Sequence, residues 1–343
     1  MLSFYIFTNS PGEVFSWVKP LVNRLHTVFN TAEIYIFLTP CQFATGEEVR
    51  VCQTFDGIRA VFPPKNTVST LLFNQPFASG VVFHMGGDPM HAKRFSKKTN
   101  SKLVGYFETD YQDKRFDYLF FKQPNRDLMS VGLSPLPLNV RDGIVLLPGS
   151  RAEHVELALP KMVEITLGLP GVTVMLSPFT SDFLMKKYHM LYPNLNFQRL
   201  TDSNDLAPFK YALTIPGTNT MQLAILKVPY MMIFPTDDSR ILRLTGLVGL
   251  CLFIPILGRI LKFLILNVGV KIKRFYSLPN ILLKSMVCPE IVGRFSIAKV
   301  RDQFRDFIQD KNQYDFINQQ FSLISATENP LDDMIDWLKI QVN

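Results

Sequence analysis

Hydrophobic and polar positions along this chain repeat with two periods. Short apolar or alternating runs at Leu2–Phe7, Glu33–Leu38, Gly80–His84, Leu103–Tyr106 and Tyr118–Phe121 predict strands. Between them lie stretches of helical period, the first running toward Leu25, with Pro20 dividing it or starting its main part. Strands that alternate with helices predict a parallel sheet with crossovers. The pattern lapses over 123–142, where Pro124, Pro135 and Pro137 fall, and this reads as the way out of a first domain. Gly143 opens a second series, with strands at Ile144–Leu147, Val172–Ser177, Phe197–Arg199, Tyr211–Ile215 and Tyr230–Phe234. The expected fold is therefore α/β, with two doubly wound units in tandem: a first domain over 1–142 and a second over 143–310. An amphipathic helix is expected over Arg294–Ile308. Further helices are expected at Asn312–Ile324 and Pro330–Ile340, so that 311–343 forms a helical tail packing back on the first domain.

One segment breaks the pattern. Over Arg240–Phe275 the apolar runs Leu244–Leu257 and Phe263–Val270 are interrupted by Arg259 and Lys262 and closed by Lys271, Lys273 and Arg274. Each run is shorter than the roughly 20 residues of a spanning helix, and Pro255 interrupts the first. An interfacial hairpin, with Leu247, Leu252, Phe253, Ile256, Phe263 and Leu264 in the lipid and cations at the headgroups, fits best. A buried core helix and a spanning helix are the alternatives.

The chemistry concentrates where predicted strands run into glycine turns. Ile144–Leu147 is followed by Pro148-Gly149-Ser150-Arg151 and then by a helical segment carrying Val155, Leu157, Leu159 and Met162. In an α/β sheet such a turn lies at the carboxyl end of a strand, where ligands bind. The helix start offers free N–H groups and partial positive charge, and arginine is a bidentate partner for phosphate oxygens. A second such junction, Tyr211–Ile215 into Pro216-Gly217-Thr218-Asn219-Thr220 and a helix over Met221–Leu226, lies in the same predicted sheet. Each is also readable as ordinary strand-to-helix loop chemistry, with a solvated arginine in the first. In the first domain, Thr8-Asn9-Ser10-Pro11-Gly12-Glu13 and Met85-Gly86-Gly87-Asp88-Pro89 end two strands. Asp88 and Glu13 are the candidate catalytic carboxylates there, and a helix cap is the plainer role for Asp88. His84 and His91 flank Asp88 and read as structural hydrogen-bonders.

Composition narrows the partners. The 343 residues carry a net charge of +7, which suits anionic ligands or surfaces. No nucleic-acid-binding module pattern is present, so nucleotide phosphates and an anionic membrane surface are favoured over nucleic acid. Cys41, Cys52, Cys251 and Cys288 form no C-x-x-C pair and no zinc spacing, and read as reduced thiols. No Asp-x-Asp pair stands at a strand end, so neither a metal nor a cofactor is expected. The opening MLSFYIFTNS has no basic stretch before its apolar residues and reads as a first strand rather than a signal peptide.

Three words, LLPGSRAEHVE at Leu146–Glu156, PGTNTMQLAILKVPYMMIF at Pro216–Phe234 and SLPNILLKSMVCPEIVG at Ser277–Gly293, stand in the order found in lipid-A-disaccharide synthases, and the chain resembles that family. TNSPGEVFSWVKPL resembles a variant of the family's N-terminal glycine turn. The resemblance implies two Rossmann-like domains of the GT-B type. It implies an inverting glycosyltransferase that passes an acylated glucosamine from a UDP-sugar donor to a lipid-borne glucosamine 1-phosphate, releasing UDP. It places the base and acceptor in the N-terminal domain and the nucleotide in the C-terminal one, with the enzyme, a monomer or homodimer, at the cytoplasmic face of the inner membrane. Carried over, the UDP-sugar site comprises Gly149, Ser150, Arg151, Glu156, Gly217, Thr218, Thr220, Asn280 and Glu290. The family's second loop starts with serine and ends with glutamate; Pro216 and Gln222 stand here, and Gln222 is expected to bond a ribose as a neutral partner. The family's aspartate-x-proline word is shortened to Gly87-Asp88-Pro89, and its tryptophan-containing segment is replaced by Tyr106–Asp110. Two rivals stand beside transfer: a UDP-sugar epimerase on the same plan, and a binding protein without catalysis.

Overall fold

The computed structural model describes residues 2–73, 76–109, 111–122, 127–236, 274–324 and 329–342. Most of the apolar segment expected over 240–275, with Leu247, Leu252, Phe253, Ile256, Phe263 and Leu264, lies outside the described residues. Among the described residues no helix is long and apolar enough to cross a membrane.

The chain forms two compact units, Met1–Gly132 with Ala326–Asn343, and Leu133–Ser325. The first holds β1 (Ser3–Thr8), β2 (Glu33–Leu38), β3 (Ile58–Phe62), β4 (Val81–His84), β5 (Lys102–Phe107) and β6 (Tyr118–Phe121). They form one parallel sheet in the order β3-β2-β1-β4-β5-β6. The second holds β7 (Ile144–Leu147), β8 (Val172–Leu176), β9 (Asn196–Arg199), β10 (Tyr211–Thr214), β11 (Tyr230–Pro235) and β12 (Glu290–Gly293). Its order is β12-β11-β10-β7-β8-β9, again all parallel, so the second unit repeats the first in topology. Both are Rossmann-like. In each, the order reverses between the first and fourth strands, β1/β4 and β7/β10. Outside the carboxyl ends of those strands lies the crevice where such sheets bind ligands.

Helices on both faces explain why the central strands read as nearly unbroken apolar runs. Every residue of β1, β4, β7 and β10 is buried. On one face of the first sheet Phe7, Phe37 and Phe62 stack at centroid spacings of 4.8 and 4.4 Å, while Tyr5, Phe77 and Phe95 fill the gaps edge-on.

The helices, in chain order, begin with α1, which starts at Pro11–Glu13, passes through a π-turn at Val14–Val18 and continues as Lys19–Val28. Pro20 supplies no N–H for the Ser16 carbonyl, and its ring crowds that carbonyl, so the helix widens by a residue there instead of dividing. Then come α2 (Glu48–Cys52), α3 (Pro64–Leu72), α4 (Pro89–Thr99), α5 (Ala152–Ile165), α6 (Asp182–Leu191), α7 (Thr218–Ile225), α8 (Leu278–Leu283), α9 (Ile297–Gln309), α10 (Lys311–Phe321) and α11 (Pro330–Val342). The helical tail divides. α10 stays with the second sheet, where Tyr314 meets Tyr211 at 5.4 Å and Phe321 stacks on Tyr230. α11 belongs to the first unit: Leu331, Met334, Ile335 and Leu338 are fully buried, Trp337 lies 5.1 Å from Tyr118, and Asp332 pairs with Arg24 at 2.9 Å.

Candidate nucleotide and acceptor sites

At the β7/β10 reversal of the second unit, β7 runs through Pro148-Gly149-Ser150 into α5, which Arg151 begins as its N-cap residue. Gly149 has φ +104°, and a Cβ there would lie 2.6 Å from Cδ1 of Ile215 at the end of β10. The positive φ is what favours glycine here, and the bare Cα leaves room for the Ile215 side chain against the turn. Gly149, Ser150 and Arg151 are half-buried at the carboxyl end of β7. Arg151 makes no side-chain cap bond to its own helix. Glu153 stands in the first turn of α5, where its carboxylate offsets part of the dipole's positive end. Beside the turn is an apolar pocket of about 30 Å³ lined by His154, Leu157, Ile215, Pro216 and Phe234.

At the second junction Gly217 is the N-cap residue of α7, and Gly217 and Thr218 reach the surface. Their neighbours turn inward. The Thr220 hydroxyl donates to the Gly217 carbonyl at 2.8 Å and accepts from the Leu278 N–H at 3.2 Å, tying α7 to α8. Gln222 is buried and donates to the Ser203 hydroxyl at 2.9 Å.

Asn280 and Glu290 form a framework of their own. Glu290, at the start of β12, accepts from the Tyr276 and Ser277 N–H groups at 2.8 and 2.9 Å, from the Ser277 hydroxyl at 2.8 Å and from the Asn280 amide at 2.8 Å. Asn280 is fully buried, and its carbonyl oxygen accepts from Val287 and Cys288 N–H. This carboxylate thus caps α8 and fastens it to the sheet edge. Glu156 is exposed on α5 and pairs with Lys187 of α6 at 3.2 Å. The structure therefore brings Gly149, Ser150, Arg151, Gly217 and Thr218 to the switch point, and gives Thr220, Gln222, Asn280, Glu290 and Glu156 protein partners.

In the first unit the β1/β4 reversal is built from Asn9, Ser10 and Glu13 after β1 and from Met85 to Asp88 after β4. Ser10 and Glu13 form a capping box: the Ser10 hydroxyl accepts from the Glu13 N–H at 3.4 Å, and Glu13 Oε2 accepts from the Ser10 N–H at 3.1 Å. Gly86, at φ +130°, lies against the Glu13 carboxyl, and a Cβ there would meet its Cδ and Oε2 at 2.3 Å. Gly87, at φ +76°, lies against Asn9 in the same way. Burial raises the Glu13 carboxyl to about 7; hydrogen bonds from Ser10 and Asn9 oppose the shift, and the neighbouring Glu108 carboxylate adds to it. Asp88 is exposed and accepts from the Met90 N–H at 2.8 Å as the cap of α4. His84 is buried, and burial with the nearby Lys93 lowers it to about 4, so it is neutral at physiological pH. His84 Nδ1 and Asn9 Oδ1 are buried without a hydrogen-bond partner among the described residues.

Sequence patterns did not point to the cluster that pins the loop after β5. Lys93 of α4, nearly buried, pairs with Asp113 at 2.7 Å and lies over the rings of Tyr111 and Phe116. Twenty residues separate that pair in the chain, and no local signal joins them. Among the described residues no group of His, Cys, Asp or Glu is placed to hold a metal ion.

Neither a family model nor a curated protein sequence matches the chain. Solved structures do. The S. aureus MnaA–UDP co-structure aligns with 100% of this chain and 97% of its own at TM-score 0.51 and 10% identity. Acinetobacter baumannii MurG aligns over 99% of this chain and 100% of its own, at TM-score 0.49 and 11% identity. E. coli heptosyltransferase WaaC with ADP covers 90% of this chain and 99% of its own, at TM-score 0.42 and 11% identity. At such identities the likeness is one of fold: two Rossmann-like domains in the GT-B arrangement of the chain.

Proposed function

We propose that the chain is a nucleotide-sugar-dependent glycosyltransferase that binds its donor at the β7/β10 switch point and its acceptor at the β1/β4 switch point. The carrying observation is the Gly149-Ser150-Arg151 turn, closed on Ile215 and leading into α5 at the point where the strand order reverses. A diphosphate fits that turn: backbone N–H groups and the Ser150 hydroxyl donate to its oxygens, and Arg151 neutralises the charge that grows on the leaving group. The likeness to the MnaA–UDP co-structure over the whole chain supports a uridine nucleotide as the carrier.

In its finer form the reaction passes an acylated glucosamine from UDP to a lipid-borne glucosamine 1-phosphate. The order of the three sequence words and the basic, apolar segment over 240–275 support it. A lipid acceptor puts the enzyme on an anionic membrane surface, at the cytoplasmic face of the inner membrane in this reading. Neither a metal nor a cofactor is required. Deleting 244–270 is expected to abolish sedimentation with anionic vesicles; undiminished sedimentation of the deletion variant would remove that segment from the account.

A UDP-sugar epimerase is the second reading. Glu13 supports it equally, because a carboxyl raised to about 7 suits removal and return of a ring proton as well as it suits transfer. The two differ in one observable: an epimerase converts the donor without an acceptor, and a transferase releases UDP only with one.

A further inference from the structure

We propose that Glu13, rather than Asp88, is the general base that takes the proton of the acceptor hydroxyl. The assignment rests on the transferase reading and names the residue that performs its proton transfer. Three observations carry it.

The first is position. Glu13 follows β1 directly, and its carboxyl lies against the main chain of Gly86, just past β4, so it occupies the β1/β4 reversal itself. Asp88 lies two residues further along, exposed, with one oxygen committed to the first turn of α4.

The second is the seat. Gly86, at φ +130°, presents bare backbone to all three atoms of the carboxyl group: a Cβ would come within 2.3 Å of Cδ and Oε2 and within 2.7 Å of Oε1. The Ser10 N–H fixes Oε2 from the other side. The carboxylate is thus held in one orientation before any substrate arrives, which is what a base needs for in-line proton removal. Next to it Asn9 Oδ1 is buried with no partner among the described residues, which leaves an acceptor beside the carboxylate.

The third is the electrostatic setting. The titratable groups on the elements packed at this end of the sheet are Glu108 after β5, Asp88, His91 and Lys93 on α4 and its cap, and His84 on β4. Of these Glu108 acts on Glu13, and in the same direction as burial. A base that titrates near neutrality is deprotonated often enough to act and basic enough to take a proton.

In the step itself, the acceptor O–H proton passes to a Glu13 carboxylate oxygen as the acceptor oxygen bonds to the anomeric carbon. The bond from that carbon to the diphosphate oxygen breaks, and its electron pair leaves with UDP. The proton then goes to solvent.

The test uses the full chain, with UDP-2,3-diacylglucosamine and 2,3-diacylglucosamine 1-phosphate in detergent micelles. It compares wild type, Glu13→Gln and Asp88→Asn for acceptor-dependent UDP release across pH, and for UDP affinity by calorimetry. Glu13→Gln is expected to lower kcat by about 10²-fold or more, with donor KM and UDP affinity unchanged. Wild-type kcat should rise with pH to a plateau above about 7, and Asp88→Asn, whatever its rate, should keep that pH dependence. Should Glu13→Gln fail to fold, the wild-type profile still decides: a kcat with no ionisation between pH 6 and 8 (roughly one unit either side of the expected value) overturns the assignment. Transfer by Glu13→Gln at the wild-type rate, or its loss in Asp88→Asn alone, overturns it while leaving the transferase reading intact. A wild type that binds UDP and transfers nothing overturns both.

Discussion

Glu13 illustrates how far a single residue's chemistry depends on chain that is distant in sequence. Its position after a strand, in a turn rich in caps, marks it as a candidate from sequence. Its proton affinity does not follow from that turn: the burial that raises it comes partly from Gly86, more than seventy residues on. The shift also has a consequence for stability. The carboxyl is raised from its ordinary 4.5 to about 7, so the folded chain holds this proton to higher pH than the unfolded chain does. The associated stability is complete below about pH 4.5 and is lost as pH rises through 7. Glutamine keeps the capping geometry and carries no such loss. Glu13→Gln is therefore expected to be more stable than wild type at pH 8, by about 3 kcal/mol, and close to it near pH 4.5. Thermal unfolding at the two pH values checks this; equal stability at pH 8 would mean the carboxyl is not desolvated. A variant that gains stability while losing activity is the pattern expected of a residue kept for its chemistry.

At the scale of elements, the sequence shows the central strands clearly and misses two of the four edge strands. β1, β4, β7 and β10 are covered on both faces and so appear as apolar runs. β3 and β12 lie at sheet edges, are only partly buried, and interleave charged or small residues, so Ile58–Phe62 and Glu290–Gly293 give no such run. The second of these matters for the site. Once β12 is in place, Glu290 is the acceptor that binds the start of α8 to the sheet, receiving four hydrogen bonds. Glu290→Ala leaves those donors unpaired in a half-buried setting, and a loss of about 3 kcal/mol of unfolding free energy is expected. Denaturant unfolding measures it. A variant with unchanged stability and weakened UDP affinity would instead place Glu290 on the ligand. The glycine turns, by contrast, were readable residue by residue, because a turn at a strand end needs only local chemistry. The inward rotation of Thr220 and Gln222 was not, since it depends on α8 and on Ser203.

For the molecule as a whole, the informative fact is repetition. Two sheets share one strand order, with a glycine turn at each reversal; the proposed transfer assigns anion binding to the turn after β7 and proton transfer to the one after β1. The alternation of strand and helix made this duplication readable without any contact information. The allocation of α10 and α11 to different units was less so, because both are amphipathic and only packing separates Tyr314 on Tyr211 from Trp337 on Tyr118. In the proposed function this duplicated fold transfers a sugar from UDP. The most direct measurement is UDP release from UDP-2,3-diacylglucosamine, with and without 2,3-diacylglucosamine 1-phosphate, by the wild type and by Arg151→Ala. The account predicts release by wild type only when the acceptor is present, a disaccharide product, and a fall of about tenfold or more in UDP affinity for Arg151→Ala. Conversion of the donor without acceptor, or no UDP binding by the wild type, would contradict it.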